Sequence, residues 1–249
     1  MEDEIKRLKE FIENAENIVF FGGAGVSTES GIPDFRSETG LYNARREYGV
    51  SPEEILSSDF FWRNTETFYD YYKKNLIAEG AKPNKAHLAL AELERRGKLK
   101  AVITQNIDGL HQDAGSKRVL ELHGSVRRNR CTRCGKAFSL DYIMDPENCR
   151  GRIPVCDDCG SDIKPEVVLY GESLDDDVMM DSIYAITEAD LLIIGGTSLA
   201  VYPAAGLIRY FRRGHIIVIN MSEAQADSIA DLVIRKPIGE VLGAAVLER

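Results

Sequence analysis

Residues 20 to 36 read Phe-Phe-Gly-Gly-Ala-Gly-Val-Ser-Thr-Glu-Ser-Gly-Ile-Pro-Asp-Phe-Arg, and they constrain the fold more than any other segment of the chain. An apolar run at residues 18–21 breaks into a turn at Gly22, Gly23 and Gly25, the pattern of a buried strand that feeds a backbone-lined anion site. Glycine lets the main chain approach an anion closely and present N–H groups to it, with Ser27 and Thr28 as hydroxyl donors nearby. The plainer reading is a ligand-free strand-to-helix turn. The dinucleotide fingerprint is incomplete here, because Thr28 stands where its third glycine belongs.

With 249 residues and 44% apolar side chains, the chain supports one large domain, or one domain with a small insertion, around a substantial core. Its 31 basic and 40 acidic side chains leave a net charge of −9, which disfavours nucleic acid as a partner and suits a basic polymer. No apolar run approaches the roughly 20 residues that span a bilayer, and residues 2–4 are acidic where a secretory signal is basic. The expectation is a cytoplasmic protein with neither a membrane nor a nucleic-acid partner.

Ile5, Leu8, Phe11 and Ile12 recur at helical spacing and predict an amphipathic helix ahead of the first strand. Residues 60–77 predict one long helix with Phe61, Phe68, Tyr69, Tyr72 and Leu76 largely on one face, and Asn84 to Gly97 bracket another. Apolar runs at 100–104, 119–122, 167–170, 191–194 and 215–219 alternate with helical segments such as 175–189. Such alternation implies an α/β fold, a parallel Rossmann-like sheet covered by helices. Between about residues 126 and 165 the periodicity lapses into a cysteine-bearing insertion.

Within it, Cys131-Thr-Arg-Cys134 and Cys156-Asp-Asp-Cys159 are each followed by glycine, the turn that folds two thiolates onto one ion. Residues 135–155 separate the pairs, slightly more than the roughly 15 to 20 usual for a zinc ribbon. Four thiolates close a tetrahedral site with no position for substrate, so the zinc is structural. Cys149 is a spare thiol without a partner at knuckle spacing.

Residues 104–111, Thr-Gln-Asn-Ile-Asp-Gly-Leu-His, follow a strand, which puts Gln105, Asn106 and Asp108 at the carboxyl edge of a parallel sheet, where such folds bind ligands. Glu-Leu-His-Gly comes next at 121–124. Together with the glycine turn, Pro-Asp-Phe-Arg at 33–36, the paired cysteines, Pro-Glu-Val-Val-Leu-Tyr-Gly-Glu at 165–172 and Gly-Thr-Ser-Leu-Ala-Val-Tyr-Pro-Ala at 196–204, this ordered set resembles the sirtuin family of NAD-dependent protein-lysine deacylases. The resemblance runs from about residue 18 to 222.

The resemblance implies a single catalytic domain over 1–249. Residues 1–36, 84–125 and 165–249 would form its large dinucleotide-binding part, 37–83 the helical part of a smaller module and 126–164 the zinc-binding insertion. It implies NAD-dependent removal of acetyl, or other apolar acyl, groups from protein lysines, with release of nicotinamide and O-acyl-ADP-ribose. His123 matches the general base, an imidazole whose ordinary pKa near 6.5 suits proton transfer at neutral pH. Asn106 and Asp108 match catalytic positions that hold the ribose and the nicotinamide amide, with Gln105 and Ile107 completing that pocket. Gly23, Ala24, Gly25, Thr28, Phe35 and Arg36 match the pyrophosphate turn and the loop over it, and Gly196, Thr197, Ser198, Asn220 and Ile238 the adenosine half. Tyr69, Tyr72, Val168, Tyr170, Gly171 and Val201 match the substrate side, where acylated peptide would add as a strand. Family members that prefer acidic acyl groups carry Tyr-x-x-Arg where this chain has Tyr69-Asp-Tyr-Tyr72.

Two alternatives stay open at this point: transfer of ADP-ribose to a protein nucleophile, and an NAD-binding zinc module without turnover. His87 and His111 keep a core role, since neither has a chemical task in the scheme. One departure is visible in Gly22, where the family usually has threonine.

Overall fold

The structure, a computed structural model, describes residues 2–33, 45 and 47–248. Strands β1 (Ile18–Gly22), β2 (Leu99–Thr104) and β3 (Val119–Glu121) precede the cysteine region. That region contains β4 (Gly124–Cys131), β5 (Ala137–Ser139), β6 (Cys149–Arg150), β7 (Ile153–Pro154) and β8 (Ile163–Val167); β9 (Leu191–Gly195), β10 (His215–Ile219) and β11 (Leu232–Ile234) follow it. Six strands form a parallel sheet in the order β11-β10-β9-β1-β2-β3. The chain winds outward from β1 through β2 to β3, returns to β9 on the other side of β1, and winds outward again.

Successive strand side chains point to opposite faces, and both faces are covered, so the central strands are apolar throughout rather than alternating. Phe20, Val102, Ile193 and Ile217 pack on one face against Leu8, Ile12, Leu90 and Leu93 of the helices Glu2–Asn14 and Lys85–Arg95. Phe21, Ile103, Leu192 and Val218 pack on the other against Ile186 of the helix Asp176–Glu188 and Leu207. The helix Lys85–Arg95 stops where expected: Gly97 takes φ +75°, its N–H donates to Glu94 O and the Lys98 N–H to Leu93 O, a Schellman arrangement. The Lys98 ammonium then donates to the carbonyls of Ile12, Glu13 and Ala15, capping the negative end of the helix Glu2–Asn14.

A second core lies in the smaller module. Phe61, Phe68, Tyr69 and Tyr72 pack with Val126, Phe138, Ile163 and Leu169, so the helical segment and the cysteine-bearing sheet β5-β4-β8 share one interior. Two expectations are corrected here. The long helix is two, Ser58–Arg63 and Thr65–Asn75, divided at Asn64, a residue type that competes poorly in helix interiors and well at caps. The strand expected at 167–170 lies earlier, as β8, and pairs antiparallel with β4 in the small sheet instead of joining the parallel one. No helix among the described residues is long and apolar enough to cross a membrane.

Candidate functional site

The strand order reverses between β1 and β9, and their carboxyl ends open the crevice where doubly wound sheets take ligands. Both strands end in glycine turns that interlock. The Gly25 N–H donates to Gly196 O at 2.8 Å, and a Cβ on Gly25 would stand 2.7 Å from the Gly196 Cα. Gly196, at φ +60°, has the Val26 nitrogen 2.4 Å from where its own Cβ would be. The glycines are therefore required by the approach of one turn to the other, a constraint that a reading of either turn alone misses.

Behind the first turn, buried Ser27 joins the strand-end loops: its hydroxyl donates to Asp108 Oδ2 at 2.7 Å and accepts from Asn106 Nδ2 at 3.1 Å. Asp108 Oδ1 accepts the Leu110 N–H, which fixes the second carboxylate oxygen. Thr28, the adjacent hydroxyl, is exposed and bonds back to Gly25 O. Ser27 is thus the residue that sequence reasoning undervalued. Gln105 Nε2 donates to Thr197 Oγ1 at 3.1 Å, tying the loop after β2 to the turn after β9.

His123 sits among these groups. Its Nδ1 lies 3.0 Å from the Gln105 carbonyl, which can only accept, so Nδ1 carries the proton and Nε2 keeps its lone pair. Burial pushes the imidazole below its ordinary pKa, and the Gln105 carbonyl opposes that in part. The ring is therefore neutral at pH 7 and able to accept a proton. Gly124 follows it at φ +74°, where a Cβ would meet Glu166 O at 1.9 Å, so only glycine lets β4 pass β8 directly after the histidine. The His123 carbonyl accepts the Val168 N–H, linking the imidazole's backbone to the segment after β8.

The remaining expected positions are dispersed. Gly23 and Ala24 line the first turn and exposed Ser198 the second, while Asn220 is buried at the end of β10 with its amide on Ser222. Ile238 is buried against Gly195. Val168 and Val201 are half-buried, and Tyr170 and Gly171 are exposed. Ile107 packs against the small-module core, in which Tyr69 and Tyr72 are fully buried. The Tyr69 hydroxyl donates to Ile163 O, and the Tyr72 hydroxyl has no protein partner. Phe35 and Arg36 lie outside the described residues.

Cys131, Cys134, Cys156 and Cys159 converge, their sulfurs all within 4.8 Å of one another. Cys131 and Cys159 are 3.4 Å apart and Cys134 and Cys156 3.6 Å, against the about 3.8 Å separating tetrahedral thiolates bound to zinc at about 2.3 Å. Arg133 and Cys134 N–H groups point at the Cys131 sulfur, as a knuckle requires. The Ser161 N–H and hydroxyl draw the Cys159 thiol down to about 6. The donor set fits zinc. Cys149 is not part of it and lies 3.5 Å from Lys73 Nζ.

His87 and His111 are both fully buried, with their rings tilted at 60° and centroids 4.7 Å apart, and His111 also lies beside Phe20. His87 Nδ1 accepts the Asn84 N–H in a capping box. Burial lowers His87 to about 4 and His111 to about 3, the second also through its neighbour. Both values lie below the unfolded value near 6.5, so their stabilisation is complete above pH 6.5 and is lost as pH falls toward 4. We expect stability to decline by more than about 1 kcal/mol per pH unit over that window. Urea midpoints at pH 7, 6 and 5 measure the slope, and His111→Leu should flatten it; an unchanged slope in that variant contradicts the assignment.

A model of the Sir2 family matches residues 23–203. A protein of Clostridium perfringens named NAD-dependent protein deacetylase is 57% identical over 247 residues, covering 99% of this chain and 100% of that protein. One of the same name from Clostridium acetobutylicum is 56% identical over 240 residues, covering 96% and 97%. A solved Sir2 structure holding a deacetylated p53 peptide and 3'-O-acetyl-ADP-ribose superposes with a TM-score of 0.85 at 39% identity, covering 97% of this chain and 96% of that one.

Proposed function

The chain belongs to the Sir2 family, the sirtuins, and on that premise we propose that it is an NAD-dependent protein deacetylase that takes acetyl groups from lysine side chains of proteins. The observation that carries the reading is His123, neutral and tautomerically fixed by Gln105, beside the Asn106–Ser27–Asp108 network at the switch point of the sheet. Bound NAD would supply an electrophilic ribose carbon, with nicotinamide as its leaving group, for capture by the acyl oxygen.

This chain's residues do the rest. The turns at Gly23–Gly25 and Gly196–Ser198 would cradle the cofactor by their close backbone approach, the Gly23, Gly25 and Gly196 N–H groups being committed to Gly195 O, Gly196 O and Ile219 O. Ser27 holds Asn106 and Asp108 oriented toward the ribose and nicotinamide. His123 Nε2 takes the proton from a ribose hydroxyl as general base. Val168, Tyr170 and Gly171 on one side and Val201 on the other receive the peptide as an added strand. Zinc closes the four-cysteine site and supplies folding energy, without touching the reaction. Two Cys-x-x-Cys pairs spaced for a metal rather than for disulfides, and a net charge of −9, support a cytoplasmic enzyme acting on proteins rather than on nucleic acid or membranes. Mass spectrometry of products from NAD and acetyl-lysine peptide tests the reading: nicotinamide, O-acetyl-ADP-ribose and deacetylated peptide are expected. Label from NAD transferred to protein, without peptide dependence, would instead select ADP-ribosyl transfer.

The acyl preference follows from Tyr72. It packs among Phe68 and Tyr69 at the position where acid-preferring family members carry arginine, and nearby Lys73 is engaged with Cys149 and the Tyr69 ring. Burying a substrate carboxylate without a cation is costly, so kcat/KM for acetyl-lysine peptide should exceed that for the succinyl peptide by about 100-fold or more. Tyr72→Arg should narrow the gap by supplying a bidentate partner. A wild-type preference for succinyl contradicts the prediction.

A further inference from the structure

Residues 169–172 form a tight turn closed twice by one residue. The Glu172 N–H donates to Leu169 O at 2.9 Å, and the Glu172 carboxylate reaches back so that its Oε2 accepts the Leu169 N–H, also at 2.9 Å. Gly171 supplies the φ of +90° at the corner. Two other parts of the molecule converge on the same carboxylate. Lys164 of β8 donates to Oε2 at 3.1 Å, with its ammonium also near the Pro165 and Val167 carbonyls, and Ser58 of the helix Ser58–Arg63 donates its hydroxyl to Oε1 at 3.1 Å. The ion pair is largely shielded, with side-chain exposures of 20% and 27%.

The turn is held on its flanks by backbone as well. Tyr170 exchanges hydrogen bonds with Leu56 O and the Ser58 N–H, and the Val168 N–H donates to the carbonyl of His123. One carboxylate therefore joins the cysteine-bearing sheet to the helical segment, and the neighbouring Val168 N–H ties the same turn to the loop that carries the imidazole, at the exposed stretch Tyr170-Gly171.

We propose that Glu172 is a positioning residue for substrate: by closing the Leu169–Glu172 turn against Lys164 and Ser58, it presets the Val168 carbonyl and the Gly171 N–H and carbonyl, the backbone groups of the edge at 168–171 that take no backbone partner among the described residues, for the acyl-lysine peptide. This rests on the reading of that edge as the peptide-pairing strand. A preset edge spares the peptide the ordering of its own template, which is a binding advantage, so its loss falls on peptide KM. A carboxylate that served only fold stability would move no single Michaelis constant selectively.

The test uses the full chain, NAD and acetyl-lysine peptide, with two ester analogues in which the backbone N–H on either side of the acetyl-lysine is replaced by oxygen. Glu172→Ala should raise peptide KM about 10-fold or more, the scale of a lost charge-assisted hydrogen bond, with kcat and the NAD KM within about threefold. Glu172→Gln should recover most of the loss, because its carbonyl still accepts from Leu169. Should the alanine variant fail to fold, Lys164→Met replaces it and should raise peptide KM several-fold. Peptide KM unchanged in a folded Glu172→Ala or in Lys164→Met, or an equal rise in the NAD KM, overturns the proposal while ester-sensitive wild-type binding leaves the strand reading intact. Ester peptides that bind the wild type as well as the amide overturn the strand reading and the proposal with it.

Discussion

Replacing His123 with alanine is expected to lower deacetylation turnover by about 100-fold or more, the usual scale for loss of a general base, with zinc content and thermal midpoint close to wild type. The expectation rests on Nδ1–H held by the Gln105 carbonyl, which leaves Nε2 as the acceptor. It also fixes the pH profile. Because burial lowers this imidazole below its ordinary pKa in the free protein, the acid limb of kcat/KM should have its inflection below the ordinary imidazole value, with activity rising as pH rises through it and level near neutrality. Tyrosine at 123 should be equally inactive. Near-normal turnover by His123→Ala would falsify the assignment of the base, and an inflection above 7 would show that another group titrates.

The elements that could be read along the chain are those whose determinants are local. Buried parallel strands such as β1 and β9 are unbroken apolar runs ended by glycine, and the end of the helix Lys85–Arg95 is written in Gly97 itself. The four zinc thiolates follow from spacing within each knuckle, and the structure brings the two knuckles together. The features that were not legible depend on distant partners. Ser27 reads beside Thr28 only as a second hydroxyl donor, and its link to Asn106 and Asp108 exists only once the loop carrying them folds over it. The requirement for glycine at 25 and 196 is mutual and has no signature in either turn alone. Residues 167–170 look like a core strand because they are apolar, yet most of the segment turns at the module junction, where Glu172 rather than a ladder takes the Leu169 N–H. Gly22 has a similar explanation: a Cβ there would stand 2.5 Å from the Phe20 ring, so the hydroxyl-bearing residue usual in the family would require the buried ring two positions back to shift.

Alanine at Cys131, Cys134, Cys156 or Cys159 is expected to release zinc and unfold the smaller module, the largest effect on stability anticipated for any single substitution. A structural zinc contributes on the order of 10 kcal/mol of binding free energy, more than the module's own core can replace. β5, β6 and β7 span only two or three residues each, too few to hold a sheet without the ion between the knuckles. The damage should not stay local. Tyr69 and Tyr72 pack on Ile163 and Leu169, and Val168 bonds the His123 carbonyl, so loss of the metal should carry away the peptide edge and with it deacetylation. The parallel sheet, with two separate cores of its own, should survive, leaving a partly folded chain with much of its helical circular dichroism. Cys149→Ala should leave zinc content and activity unchanged, because that thiol faces Lys73 and Asp145 O rather than the cluster. Metal analysis of the five variants decides the matter: full zinc in Cys156→Ala together with loss in Cys149→Ala would show that the ligand set is a different one.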